Sequence, residues 1–482
     1  MGMGLSVTRR FLQASSLAAL VCCCPGIGTA VALSLREAVA TALDSAPEIG
    51  QAVENREAIQ FELRQARGLY LPRIDAEASA GGRRLDNPSR RSIGEEKRGL
   101  GPLEAGLVAT LKLFDGYGRE AEVERQASRV DGASLRVLER SEFIALQVVR
   151  EYIEATLQAR VVEQNRQNVA YHQSIVGRIR SNVESGALTD ADLKQGEERV
   201  LASRARLIEA EQELAAARIR FLRYVGKPIG RAEALPALVR GNLPRTMDQA
   251  LGLAVRNNPR LKVAGADIDA TNALVKKAKS ARYPELFLEG RVRGGQDLDG
   301  ARGRTTDLQG RAVMRWNLYN GGITDANVQE QTRRVAEAKH SRDQVLREIR
   351  EALRLSFDRR VRQAQLASIL TQQLNAGDRV VSAYAEQFSV GRRSLLDLLD
   401  AQNTRHNARI LRTTAEASAL FAEYRIVASI GSLVSALGLK PPAQAQVYAR
   451  TEADVPPTNS TDKLPRTAPP RGKPWMPAGA IQ

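Results

Sequence analysis

Residues 391–402 read GRRSLLDLLDAQ, set in sequence that is helical in pattern for dozens of residues on either side. Gly391 suits the left-handed residue that closes a helix, and Ser394 is placed to cap the next one. Asp397 and Asp400 then fall three apart on one face of that second helix. Residues 186–193, GALTDADL, say nearly the same: Gly186, Thr189, Asp192 and Leu193 stand 205 positions before Gly391, Ser394, Asp397 and Leu398. Both tips carry a Ser/Thr-x-x-Asp capping arrangement, with the acid favoured by the helix dipole. Only the second tip adds Asp400, where the first has Gln195, and Arg393, where the first has Leu188.

The repetition extends outward from the tips. Ala38, Pro47, Ala66 and Pro72 return as Ala250, Pro259, Ala278 and Pro284 at an offset of 212, and from Gly116/Gly321 to Gly226/Gly431 the offset is 205. The seven-residue change falls near RLDNPSRRSIGEEKRG (84–99), whose polar, glycine-containing composition reads as an exposed loop. Each half follows one plan: a short helix, a proline, a helix of about six turns, two stretches of period-two alternation, and a long helical hairpin. The alternating stretches predict strands over 73–82, 104–114, 285–294 and 307–318, each of the length a tilted strand needs to cross a bilayer. Phe114, Tyr117, Trp316 and Tyr319 sit where the strands end, as an aromatic girdle does. Four strands cannot close a barrel, so a barrel would have to be shared between chains. The proline-free run 119–183 predicts a helix of roughly 100 Å, which must pack along its length.

The chain divides into a leader (1–32), a first repeat (33–240, tip 184–192), a second repeat (241–440, tip 389–397) and a proline-rich tail (441–482) expected to be disordered. In the leader Arg9 and Arg10 precede an apolar run, and Ala30-Val31-Ala32 offers a signal-peptidase site, so the exported chain is expected to start near Leu33. All three cysteines, Cys22 to Cys24, would leave with the leader, and no disulfide is expected. Beyond the leader no run of about 20 apolar residues occurs, which excludes a transmembrane helix and leaves a soluble, peripheral or β-barrel protein. The formal charge of +16 is scattered rather than gathered in one block, and no nucleic-acid-binding motif accompanies it.

Motifs for catalysis are weak. Gly116-Tyr-Gly118-Arg-Glu-Ala121 superficially matches a dinucleotide fingerprint, but the helix that follows is several times too long for a βαβ unit. His172, His340 and His406 each lie without carboxylates or cysteines at ligand spacing, so neither a metal site nor a histidine-based catalytic set is expected. The reading is of a protein that is not an enzyme and needs no cofactor.

The duplicated plan, the LFDG (113–116) and LYNG (318–321) corners and the GRRSLLDLLDAQ tip resemble the TolC family of outer-membrane ducts over essentially residues 33–440. That resemblance implies an α+β membrane protein of two tandem repeats. Three chains would build one twelve-stranded outer-membrane barrel, continued as a helical tunnel into the periplasm and closed at its far end. It further implies that Asp397 and Asp400 form cation-selective rings at the tunnel entrance, and that Asp192 and Arg393 form a latch between hairpins. Phe388 stands where the family's best-known gate carries a tyrosine, so the phenolic hydroxyl is missing. The implied partners are a periplasmic adaptor and an inner-membrane ABC transporter with a polypeptide cargo. An efflux pump for small molecules is the alternative, and a poreless periplasmic coiled-coil adaptor is a further one.

Overall fold

The computed structural model describes residues 33–230, 235–236 and 243–456; the expected leader and its cysteines lie outside them. In chain order the first half holds α1 (Leu35–Ser45), α2 (Pro47–Gly68), β1 (Arg73–Ala80), α3 (Pro88–Arg91), β2 (Leu103–Phe114), α4 (Gly118–Glu184) and α5 (Asp190–Val225). The second half holds α6 (Met247–Asn257), α7 (Pro259–Ser280), β3 (Glu285–Gln296), β4 (Arg304–Arg315), α8 (Ile323–Ser389) and α9 (Leu395–Ile430). Two short helices, α10 (Leu433–Ala436) and α11 (Ala449–Glu452), follow. Helices α4 and α8 each have 67 residues, and α5 and α9 each have 36. At 1.5 Å per residue each long helix runs about 100 Å.

Local chemistry sets the boundaries. Pro47 and Pro259 occupy the first turn of α2 and α7, where a missing N–H costs nothing. The LFDG and LYNG corners turn strand into helix. Asp115 accepts the Arg119 amide at 3.0 Å, and Asn320 accepts the Thr324 amide at 3.4 Å. Gly116 has a φ of +65°, and a Cβ there would meet the Ser280 carbonyl at 2.6 Å, so the first corner requires glycine twice over. The supposed dinucleotide motif is this turn.

The strands form one antiparallel meander, β1-β2-β3-β4, with β1 and β4 as its edges within the chain. Register places Ala76 opposite Leu107, Leu107 opposite Val292, and Val292 opposite Leu308. One face is therefore an apolar band reaching from Ile74 to Met314, and its large side chains are exposed. Strand β4 ends at Arg315, short of the expected 318. Trp316 is instead held beyond the strand by its indole N–H, which donates to the Arg282 carbonyl at 3.2 Å.

Two further segments hold more order than their composition suggests. Residues 84–99 are not simply an exposed loop: Arg90 is buried and donates to the carbonyls of Gly300, Glu95 and Arg98, which ties the two strand-connecting loops together. The tail is not loose from residue 441. Residues 443–456 pack on α4, where buried Asp131 accepts the amides of Tyr448, Ala449 and Arg450 at 2.9–3.1 Å. Arg450 bridges Asp131 and Asp269 at 3.0 and 2.6 Å. Composition gave no sign of this, because the anchor is a carboxylate more than 300 residues away.

Between sheet and tips, α1 and α10 pack with α4, α5 and α9 in the largest apolar cluster, built on Ile144, Val148, Phe221 and Val427. Glu142 lies inside it and accepts the amides of Leu433 and Val434 at 2.8 and 3.2 Å. Burial pushes its carboxyl up to about 7, against the pull of those two amides.

Candidate functional site

Two regions carry the chemistry: the polar face of the sheet and the pair of hairpin tips. On the face opposite the apolar band, Arg291 pairs with Glu104 at 2.9 Å, Arg293 with Asp307 at 2.9 Å, and Arg311 with Glu289 at 2.8 Å. These partners sit on neighbouring strands, where alternation sends every second side chain to the same side. A sheet apolar on one face and ion-paired on the other suits lipid outside and water inside. The arginines here are compensated, so the basic balance of the chain does not produce a bare cationic wall on this face.

The two tips share a backbone and differ in side chains. Gly186 and Gly391 have φ of +76° and +72°, the left-handed closure that their positions predicted. At the first tip Thr189 and Asp192 form a reciprocal capping box: the Asp192 carboxylate accepts the Thr189 hydroxyl at 2.7 Å and its amide at 3.0 Å. Those bonds, the hydroxyl's first, hold the Asp192 carboxyl below its usual range. At the second tip Ser394 accepts the Asp397 amide at 3.1 Å without a return bond. The Asp397 carboxylate is thereby released, and Arg393 approaches it at 3.6 Å.

The expected Asp192–Arg393 ion pair is not formed within the chain, because each residue is engaged at its own tip. Besides Asp397, Arg393 lays its guanidinium 3.9 Å from the centroid of the Tyr384 ring. Phe388, one turn further on, packs with Ile175, Ile179, Leu395, Leu398 and Leu399 in an apolar cluster that joins the two tips. Apolar packing stands where the hydroxyl was missed. Tyr384 escaped notice in the sequence, although it lies four residues before Phe388 on the same helical stripe. Asp400 is exposed and faces Arg199 of α5 at 3.9 Å.

Away from the tips, α9 meets the first hairpin along a buried polar seam. His406 Nε2 lies 3.1 Å from Asn165 Oδ1, Gln402 donates to Asn168 at 2.9 Å, and Gln164 donates to Thr413 at 2.9 Å. His172 belongs to the same seam, so two histidines that look isolated in sequence are neighbours in space. Burial, helped by nearby arginines, pushes the His406 imidazole down to about 4, and His172 shifts the same way. Among the described residues no group of side chains could hold a metal ion, and no helix is long and apolar enough to cross a membrane.

A membrane-length sheet with one lipid-suited face, joined to helical hairpins of about 100 Å, defines a protomer of an outer-membrane channel. The family described as Outer membrane efflux protein matches residues 38–227 and 250–432, one segment in each repeat, and the chain belongs to that family. It is 24% identical over 393 residues to the proteases secretion protein PrtF of Dickeya chrysanthemi, covering 79% of this chain and 84% of that one. It is 23% identical over 388 residues to the alkaline protease secretion protein AprF of Pseudomonas aeruginosa (79% and 80% covered), and 23% identical over 344 residues to the outer membrane efflux protein BepC of Brucella suis (70% and 74% covered). In fold it matches the outer membrane protein VceC of Vibrio cholerae with a TM-score of 0.70 at 15% identity, covering 84% of this chain and 96% of that one. The protein is a channel of the Gram-negative outer membrane with a large periplasmic portion, and its family is one of conduits rather than enzymes.

Proposed function

We propose that three copies of the chain form a passive duct for a secreted polypeptide, opened by a periplasmic adaptor and driven by an inner-membrane ABC transporter. The observation that carries the assembly is a pair of unfinished edges. Strands β1 and β4 lack outer partners among the described residues, and four strands are about half of what the smallest barrel needs. The helical wall is unfinished as well. Leu355, Leu366, Ile369 and Val380 stand exposed on α8, spaced 11, 3 and 11 apart; Leu201, Ile208, Ile219 and Leu222 stand exposed on α5. Such spacing keeps each set on one helical stripe, and another copy would cover both.

The polypeptide cargo follows from PrtF and AprF, which are protease secretion proteins. The likeness to BepC, an efflux protein, keeps open the alternative of a small-molecule pump, and the paired arginines of the sheet favour neither. Asp397 and Asp400 are the proposed selectivity rings at the periplasmic entrance, since rings of carboxylate line cation-selective pores. A latch between Asp192 and Arg393 would have to run between copies and displace the local bonds of both. Single-channel recording in planar bilayers tests the reading, with wild type beside Asp397→Ala/Asp400→Ala. Small cation-selective steps that lose their preference in the double variant are expected. A wild type that forms no pore would overturn the duct and restore the coiled-coil adaptor.

A further inference from the structure

Near the middle of α4 and α8 the helical wall carries arginines that the chain leaves largely uncompensated. A cleft of about 470 Å³ opens between α4, α9 and α8, lined among others by Arg150, Arg359, Arg425, Leu157 and Phe421. Arg150 and Arg359 are exposed and Arg425 is half-buried. Neither Arg359 nor Arg425 has an ion pair or hydrogen bond among the described residues, and Arg150 reaches only the Glu151 carboxylate, at 3.8 Å. Glu154, the one carboxylate that lines the cleft, accepts from Gln158 Nε2 at 2.9 Å instead. Asp358, close by on α8, is taken by Arg362 at 3.5 Å. Three like charges that converge on one cleft repel one another, a cost that a bound anion removes.

The repeat locates the surplus. At the offset of 205, Arg425 corresponds to Arg220 and Ser356 to Glu151. In the first hairpin the buried Glu151 pairs with Arg220 at 3.2 Å. In the second hairpin Ser356 stands in place of that acid. It lines an adjoining cavity that shares Arg359, Phe421 and Arg425 with the first, and its hydroxyl donates to the Ala352 carbonyl at 2.6 Å. Arg359 stands where the first half has Glu154. Both differences move this stretch of wall toward positive charge, in contrast to the sheet, where each arginine meets an acid across the strands.

The cleft also has a definite side. Helices α1 and α10 cover Ile144, Val148 and Tyr152 on α4, and with α6 they cover Tyr424, Val427 and Ile430 on α9. At 3.6 residues per turn, Leu146, Arg150 and Leu157 fall on the opposite face of α4, and Arg425 on the opposite face of α9. A wall one helix thick around a duct can carry an added layer only outside, since inside it would fill the bore. The cleft therefore opens to the lumen. We propose that Arg150, Arg359 and Arg425 form an anion-binding collar on the inner wall, one cleft per chain, that takes the carboxylates of an acidic stretch of the passing polypeptide. This deepens the duct reading and rests on it. Guanidinium is weakly hydrated and grips carboxylate with two parallel hydrogen bonds, and the apolar lining of Leu157 and Phe421 beside it strengthens the attraction.

The test is single-channel block of the full-length protein in planar bilayers, with a hexaglutamate peptide added at the barrel mouth under a potential that drives anions inward. Wild type is expected to show brief blockades by hexaglutamate and none by hexalysine. Arg425→Gln should shorten the blockades, and Arg150→Gln/Arg359→Gln/Arg425→Gln should shorten them at least about tenfold, the scale of one lost hydrogen bond to a charged group. Arg354→Gln is the control: Arg354 is exposed on the same helix but does not line the cleft, and its loss changes the net charge as Arg425→Gln does. It should block like wild type. Variants that still form pores have folded, so their blockades report on the cleft. A triple variant that blocks like wild type overturns the collar while the duct stands, and so does an Arg354→Gln variant that loses as much as Arg425→Gln. Inorganic phosphate that abolishes the blockades at the peptide's own concentration makes this a site for one small anion and overturns the polypeptide assignment. A wild type that forms no pore overturns the duct, and the collar with it.

Discussion

Helices α4 and α8 are repeats of one another, equal in length and aligned residue for residue, yet they live in different surroundings. Helix α4 is covered by α2, α5, α7 and α9 and by the C-terminal segment, and its apolar residues from Ala121 to Ile179 are largely buried. Helix α8 packs mainly on α9 and α7, and its buried set is short: Val328, Val335, Ile349, Ser356 and a few more. The long helix of the first half is buried within the chain, whereas that of the second half presents an apolar stripe that the proposed neighbouring copy would cover. Duplication supplied the length and the register. Divergence at single positions decided which copy became the chain's own core and which became its interface.

The C-terminal anchor is the sharpest point of that contrast. Asp131 and Glu142 on α4 hold the segment after α9, and their counterparts on α8 are Ala336 and Arg347. Asp131→Ala would leave the amides of Tyr448, Ala449 and Arg450 without their acceptor and the Arg450 guanidinium with Asp269 as its remaining partner. The expected cost is about 3–5 kcal/mol of local stability. Limited trypsin digestion reads it directly, since Arg450 should become cleavable in the variant. If Arg450 stays protected, the segment is held by apolar contacts of Tyr448 and Ala449, and the asymmetry of the two long helices is not electrostatic in origin.

Next in size is the buried seam through which α9 leans on α4. With the His406 imidazole at about 4, well below its free value of 6.5, the folded state binds fewer protons than the unfolded chain between those pH values. The seam's contribution is therefore full above pH 6.5 and lost as pH falls toward 4, by on the order of 2 kcal/mol. Thermal midpoints measured from pH 7 to pH 4 should fall for wild type and fall less for His406→Gln, which keeps a hydrogen-bonding partner for Asn165. Equal slopes would place the acid sensitivity elsewhere, outside the contact between the two hairpins.

How much of this could be read from residues alone follows from the range of the forces involved. Turns at Gly186 and Gly391, caps at Thr189 and Ser394, proline boundaries and strand alternation are short-range, and each is written within a few neighbouring letters. The side-chain partners at the tips were not legible. Arg199 lies on α5 and reaches α9 across a tertiary contact that no spacing encodes. Arg393 could be seen as exclusive to the second tip, but its choice of Tyr384 and Asp397 over Asp192 depends on the single missing hydrogen bond back to Ser394. The strap over α4 was misjudged for a related reason: proline-rich composition suggests disorder, while two distant buried carboxylates supply the order.

The smallest expected difference bears most directly on the tips. Thr189→Ala breaks the reciprocated box, with both hydrogen bonds of the hydroxyl lost and only the backbone amide at 189 still facing the Asp192 carboxylate. Ser394→Ala removes one bond and leaves Asp397 facing Arg393. A lost N-cap costs about 1 kcal/mol, so the first variant should lose close to that and the second perceptibly less. Hydrogen exchange of the Asp192 and Asp397 amides resolves the two cases within one protein. Faster exchange confined to the first tip would support the view that Asp397 has left capping for the entrance. Equal acceleration at both would mean that Asp397 still works mainly as a cap, and the functional divergence of the second tip would then rest on Asp400 and its partner Arg199 alone.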